Sequence, residues 1–152
     1  MVWAACGYYG KSNIALITCK GDATVHKQTL SDHLLPFVHR MQLISGGNWK
    51  FQEDNAPPHR PESIRQWLAE HNIDKIEWPA CSPDLNPIEN LWGILSRRVF
   101  ADGRQYSGVA ALKSAIRECW DQITVDELRP LVNSMPKRIF EVVSKHGGST
   151  SY

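Results

Sequence analysis

The sequence predicts an α/β domain, and three observations carry that expectation. Short apolar runs of strand length alternate with longer stretches whose apolar residues recur at helical spacing. Clusters of Gly, Pro, Asn and Ser separate the two kinds of segment. Beyond residue 87 only the helical period remains, so a helical part closes the chain.

Val2-Trp3-Ala4-Ala5-Cys6 and Asn13-Ile14-Ala15-Leu16-Ile17-Thr18 are two apolar runs joined by Gly7-Tyr8-Tyr9-Gly10-Lys11-Ser12. Two glycines able to take positive φ make that connection a hairpin. Residues 26–41 carry Leu30, Leu34, Phe37, Val38 and Met41 at helical spacing. Pro36 falls inside this pattern and is expected to kink or shorten the helix, because it removes one backbone donor. Ser45-Gly46-Gly47-Asn48 reads as a loop before a short strand, Trp49-Lys50-Phe51-Gln52. Asp54-Asn55-Ala56-Pro57-Pro58 leaves that strand, since prolines do not continue a central ladder. Pro61 suits a first helical turn, and Ile64, Trp67 and Leu68 mark a buried helix face ending near His71-Asn72. Ile73 to Trp78 is a second short strand, followed by a rigid, proline-rich loop from Pro79 to Pro87.

The next helix has Ile88, Leu91, Trp92, Leu95 and Val99 on one side. Two further helical patterns follow, Val109-Leu112-Ile116-Trp120 and Leu128-Leu131-Val132-Met135. A last short helix carries Ile139, Phe140 and Val143, giving one domain over 1–146 and a frayed tail over 147–152.

A chain of 152 residues with 42% hydrophobic and 22% charged residues is long enough to bury a core without disulfides or a structural metal. No apolar run approaches the roughly 20 residues that span a bilayer, and no charged-then-apolar signal segment opens the chain, so no membrane partner is expected. The four cysteines, Cys6, Cys19, Cys81 and Cys119, show no Cys-x-x-Cys spacing and read as buried or half-buried thiols rather than zinc ligands. The net charge of +1 hides an asymmetry. Eight basic and ten acidic side chains precede residue 97, and nine and six follow, with the pairs Arg97-Arg98 and Lys137-Arg138 among them. A basic stripe of this kind suits either a phosphate backbone or a merely solvated face.

Two carboxylates occupy unusual places. Asp54 ends an apolar strand, at the edge of an open α/β sheet where functional groups collect. Glu89 lies in the first turn of the helix after the proline loop, on the flank of Trp92, Gly93 and Ser96. Gly93 costs about 1 kcal/mol against Ala inside a helix; close approach of a backbone or a substrate is one reason to tolerate it. Glu89 is open to two readings, because Asn86-Pro87-Ile88-Glu89 also fits a capping box. Asp54 could equally satisfy backbone donors in its own turn, Asp84 the Ser82-Pro83 turn, and His59 simply a turn position. As a pair, Asp54 and Glu89 suit a hard divalent ion such as Mg2+ or Mn2+, which takes carboxylates, waters and phosphate oxygens.

Phe51-Gln52-Glu53-Asp54-Asn55-Ala56-Pro57-Pro58-His59 and the long segment Trp78-Pro79-Ala80-Cys81-Ser82-Pro83-Asp84-Leu85-Asn86-Pro87-Ile88-Glu89-Asn90-Leu91-Trp92 resemble the catalytic core of the mariner superfamily of cut-and-paste DNA transposases. The 34 residues between Asp54 and Glu89 agree with the branch that ends its acidic triad in Glu. Trp92 to Arg98, Asp102-Gly103-Arg104-Gln105 and Ser134-Met135-Pro136-Lys137-Arg138 are similar to that branch as well.

The resemblance implies a ribonuclease H-like fold with a mixed sheet flanked by helices and a helical C-terminal part. It implies two Mg2+ or Mn2+ ions, with Asp54 and Glu89 as second and third catalytic and metal-binding carboxylates and Asn55 and His59 as support near the site. The family's first catalytic Asp lies on a central strand upstream of the hairpin. The chain is therefore expected to lack that first strand and its Asp, and to be inactive alone or completed by a full-length transposase chain. Transposon-end and target DNA are the implied partners, Arg97, Arg98, Arg104, Lys137 and Arg138 the candidate DNA contacts, and the nucleus the implied location. The alternative is a non-catalytic DNA- or transposase-binding module that uses those basic helices.

Overall fold

The computed structural model describes residues 1–18, 21–47 and 49–152; Cys19 and Asn48 of the readings above lie outside the described residues. The hairpin forms as two short antiparallel ladders. β1 (Val2–Trp3) pairs with β4 (Ala15–Leu16), and β2 (Cys6–Gly7) pairs with β3 (Gly10–Lys11). Tyr8 and Tyr9 form the tip, and the two glycines pair across it instead of making the turn. Between the ladders the Ser12 hydroxyl accepts from the Ala5 N–H at 2.9 Å, while Ser12 N–H donates to the Ala5 carbonyl at 2.8 Å. Successive strand residues face opposite ways. Ala5 therefore joins one hydrophobic core while Ala4 and Ile14 join a second.

The first core is built on a helix that does not break at Pro36. α1 (Ala23–Thr29) starts at Asp22, whose carboxylate accepts from Val25 N–H at 2.9 Å. A single π turn over Leu30–Leu34 then leads directly into α2 (Leu35–Ser45). Pro36 thus stands in the first turn of α2, where its missing donor disturbs least, and the wider turn before it absorbs the mismatch. Gly46, with φ 66°, closes α2 in the left-handed conformation. Leu30, Leu34, Phe37, Val38 and Met41 pack with Ile64, Trp67 and Leu68 of α3 (Glu62–Glu70) and with Ile73. Pro61 lies just outside α3 with extended ψ, one residue earlier than expected.

The two later strands are reduced to one parallel pair, Phe51 with Lys75, joined by Phe51 N–H to Asp74 O (2.8 Å) and Ile76 N–H to Phe51 O (2.9 Å). Side chains then replace the ladder: Gln52 donates to Leu85 O at 3.3 Å and Asn55 to Trp78 O at 2.6 Å. The pairing is mixed, antiparallel in the hairpin and parallel here, but among the described residues it forms separate pieces rather than one sheet.

The second core lies among α4 (Pro87–Val99), α5 (Val109–Asp121) and α6 (Val125–Asn133), through Leu91, Leu95, Val99, Cys119, Trp120, Ile123 and Leu128. Met135, expected on α6, begins α7 (Met135–Ser144) instead, because Pro136 cannot donate to the preceding turn. Ile139, Phe140 and Val143 of α7 are exposed. Residues 147–152, expected to fray, carry no helix or strand but are held. Thr150 N–H donates to Asp84 Oδ2 at 2.7 Å, Ser151 N–H to Glu141 at 2.9 Å, and the Tyr152 ring lies 4.5 Å from the Arg138 guanidinium. Of the described cysteines, Cys119 is buried and Cys6 half-buried, its thiol pushed up to about 12 by burial, but Cys81 is exposed. No helix among the described residues is long and apolar enough to cross a membrane.

Candidate active site

A cavity of about 660 Å3 lies between β1 and the Phe51 segment, and both candidate carboxylates line it. Val2, Trp3 and Ala4 form one wall, and Phe51, Gln52 and Glu53 face them from the other. Asp54 leaves the strand at the polar end of this groove, where its Oδ1 accepts from Ala56 N–H at 3.1 Å and lies 2.6 Å from His59 Nδ1. The turn-stabilising role is therefore real, but it engages one oxygen. Among the described residues no hydrogen bond reaches Oδ2.

Glu89 enters from the first turn of α4. The capping box expected at Asn86 does not form, because the Asn86 N–H is already given to Pro83 O at 2.9 Å and no side-chain bond closes that helix end. The box is found at Thr124, where Glu127 Oε2 accepts from the Thr124 N–H at 3.0 Å. Glu89 is thus left facing the groove. Partial desolvation by the groove wall raises its pKa above the usual carboxylate value, and the negative charge of Asp54 raises it further. Two carboxylates from distant parts of the chain therefore feel each other across one cavity.

Behind Asp54 lies a buried polar group that spacing did not reveal. Glu53, 6% exposed, faces inward from the residue before Asp54, and Lys75 donates to its Oε2 at 2.8 Å. Buried His26 of α1 brings Nε2 to 2.9 Å from Glu53 Oε1, and His59 Nε2 stands 3.8 Å from the same oxygen. The two imidazoles lie 4.2 Å apart. Burial alone would raise the Glu53 carboxyl, but His26, His59 and Lys75 outweigh it and hold the group below its usual range. The only sequence signal was an acid placed beside Asp54; its partners come from 27 residues upstream and 22 downstream.

The other candidates separate clearly. Asn55 is a strap, binding Trp78 O through Nδ2 and receiving Arg60 Nε at 2.5 Å on its carbonyl. The Asp84 carboxylate is held mainly by Thr150, whose N–H donates to it at 2.7 Å, with the backbone of its own turn at Asp84 and Leu85 adding to that. Arg138 is corrected outright as a DNA contact. It is 1% exposed and spends its donors on Asp84 O, Asn90 Oδ1 and Ser134 Oγ at 2.7–2.8 Å. Arg98 is half-buried against Glu127, while Arg97, Arg104 and Lys137 are exposed.

The model for the DDE superfamily endonuclease family matches residues 3–113. The chain belongs to that family. It is 38% identical over its full length to the Tc3 transposable-element transposase of Caenorhabditis elegans, covering 45% of that protein. It thus spans about half the length of the curated relatives it matches. The catalytic domain of Mos1 mariner transposase superposes on 99% of the chain, and the chain on 75% of it, with a TM-score of 0.84 at 18% identity. A Mos1 mariner paired end complex with Mn superposes on the same share, covering 44% of that chain, at TM-score 0.86 and 19% identity. The ribonuclease H-like expectation is met at the level of overall fold.

Proposed function

We propose that this chain forms the greater part of a metal-dependent catalytic domain for cutting and joining transposon DNA, with Asp54 and Glu89 as two of its metal-binding carboxylates. The observation that carries the reading is the convergence of Asp54 and Glu89 on one groove, close enough for the charge of one to shift the other. Both are hard oxygen donors at an open wall with room for waters and a phosphate, which fits Mg2+ or Mn2+. Bound there, such ions supply an activated water or hydroxyl nucleophile and offset charge at phosphorus. The chain's own residues prepare the donors. Ala56 N–H and His59 hold Asp54 Oδ1, while Pro87 and the Asn86–Pro83 bond fix the helix start that aims Glu89.

The third carboxylate enters, on this reading, with a further strand, from this protein or from a full-length transposase chain, that lies in the groove and pairs with the free edge of β1. Among the described residues β1 pairs only with β4, which supports the reading. Transposon-end and target DNA are the substrates, with Arg97, Arg104 and Lys137 as phosphate contacts, and the nucleus is where the reaction takes place. The relatives, a transposable-element transposase and a mariner paired end complex with Mn, support the choice of transposon DNA as substrate.

A Mn2+ titration of the purified chain followed by electron paramagnetic resonance tests the carboxylate pair. Asp54→Asn and Glu89→Gln are each expected to weaken binding by at least about tenfold; unchanged affinity in both variants would sink the reading. The chain alone is expected not to nick transposon-end DNA in Mn2+, and robust nicking abolished by Asp54→Ala would remove the incoming strand from the proposal.

The exposed basic side chains also favour a second reading, a DNA-binding module without cleavage. Its mark is salt-dependent DNA binding that loses about one phosphate contact with each of Arg97→Ala and Arg104→Ala. No change in the salt slope would eliminate it.

A further inference from the structure

We propose that His26, Glu53 and His59 form a binding site for one borderline transition-metal cation of the Zn2+ class, distinct from the Asp54–Glu89 pair in donors and in chemistry. Three elements bring the donors together: α1, the residue after the Phe51 segment, and the turn that follows Pro57-Pro58. One ligand atom from each lies within 4.8 Å of the others. The two measured separations to Glu53 Oε1, 2.9 Å from His26 and 3.8 Å from His59, bracket the spacing of donors around a tetrahedral ion, which is about 3.4 Å for bonds near 2.1 Å.

The decisive feature is an unmet need. His26 and Glu53 are each 5% exposed in their side chains, yet neither His26 Nε2 nor Glu53 Oε1 has a hydrogen-bond partner among the described residues. At 2.9 Å the two atoms make a charge contact that falls short of full hydrogen-bond geometry. Such buried atoms are rarely left unsatisfied. Donors that are close to one another without a full hydrogen bond between them suit a shared third atom.

The surroundings fit as well. His59 Nδ1 stands 2.6 Å from Asp54 Oδ1, so an Nδ1–H donated there would leave Nε2, 3.8 Å from Glu53 Oε1, to the ion. A carboxylate behind a ligating imidazole is the usual way such a ring is oriented. Lys75 holds Glu53 Oε2 at 2.8 Å and leaves Oε1 to the ion, although its charge lowers the affinity the site could otherwise reach. All three donors line the groove, so water has access to a fourth position. Two imidazoles with one carboxylate favour Zn2+ or Co2+ over Mg2+, which prefers an all-oxygen set. An ion here would hold the His59 ring that positions Asp54, coupling this site to the carboxylate pair.

Calorimetric titration of the chelator-treated chain with Zn2+, and visible absorption with Co2+, test the proposal. One equivalent is expected to bind, with tetrahedral-type Co2+ bands. His26→Gln, Glu53→Gln and His59→Gln should each weaken Zn2+ by at least about tenfold, while Glu89→Gln should leave Zn2+ affinity within about twofold and reduce Mn2+ affinity. Should one of the three fail to fold by circular dichroism, the other two carry the test. Absence of saturable Zn2+ binding, or binding of unchanged strength in the variants that fold, overturns the proposal. Either result leaves the Mn2+ titration of Asp54 and Glu89 to be judged on its own.

Discussion

The core around Trp120 is built on α4, α5, α6 and the hairpin, whereas the core around Leu30 rests on α1, α2, α3 and strand fragments. Both reach the groove that holds Asp54 and Glu89, the first through Ala4, Ile88 and Trp92, the second through Trp3 and Phe51. The first is held mainly by helices, each of which satisfies its own backbone. The second depends on strand fragments, and β1 pairs on one side only among the described residues. Trp120 lies deep in the first core, while Trp3 at the edge of the second is only partly buried. Asp54 stands beside the second core and Glu89 on α4 of the first, so the groove between the two cores is where a ligand or a strand has room to enter.

The sharpest way to break this comparison is to truncate one tryptophan in each core. Trp120 is 1% exposed, stacks on Trp92 at 5.6 Å and donates Nε1–H to Ser12 O at 2.8 Å, tying the helices to the hairpin. Trp120→Ala is expected to cost about 3–5 kcal/mol. Trp3→Ala, with its ring half open to the groove, should cost less than half of that. Urea midpoints of the two variants decide the matter, and equal losses would erase the difference between the two tryptophans.

Next in size is Arg138, which fastens α7 to α4 and the proline loop. Arg138→Met strands Asp84 O and Asn90 Oδ1 without donors and should cost about 2–3 kcal/mol. Arg138→Lys should recover little, since one ammonium does not reproduce a planar fork. If Arg138→Met melted like the parent but bound DNA less well, the buried-clamp assignment would fall.

Arg138 also shows what could and could not be read in advance. A Lys-Arg pair in a basic stretch looks the same whether it faces solvent or the interior, because burial depends on which acceptors the fold brings near. The Asp54 and Glu89 positions were legible because each is dictated locally, by prolines that end a strand and prolines that start a helix. The group of His26, Glu53, His59 and Lys75 was not, since its members come from separate elements and no periodicity links them. Pro36 misled for a related reason: a single π turn cancels its break, and such a turn leaves no mark in apolar spacing. The late strands read longer than they are because side-chain bonds from Gln52 and Asn55 replace ladder pairing.

The two cores also predict opposite pH responses at their shared groove. Glu53 is held below its usual pKa, so its ionised form contributes stability that is present above the unfolded value and is lost as pH falls through the folded one. Glu89 is held above its usual pKa. Its contribution is fully present below the unfolded value and is lost as pH rises through the folded one. Glu53→Gln should therefore flatten the acid side of a melting-temperature profile, whereas Glu89→Gln should raise the melting temperature at neutral pH and leave it little changed in acid. Matching profiles for the two variants would contradict the assigned environments.

The smallest expected effect concerns Gly93, which the sequence suggested was kept small for a close neighbour. A Cβ built there meets only the Arg97 Nη1 atom, at 3.4 Å, the far end of a flexible side chain, and no backbone. Gly93→Ala should therefore stabilise α4 by about 0.5–1 kcal/mol, through helix propensity and a less flexible unfolded chain. The same substitution tests what the open side of α4 is for. If Gly93→Ala gains stability while Mn2+ and DNA affinities hold, the glycine has no role on the groove side. If stability rises but DNA binding falls, the space above Gly93 admits substrate beside Glu89.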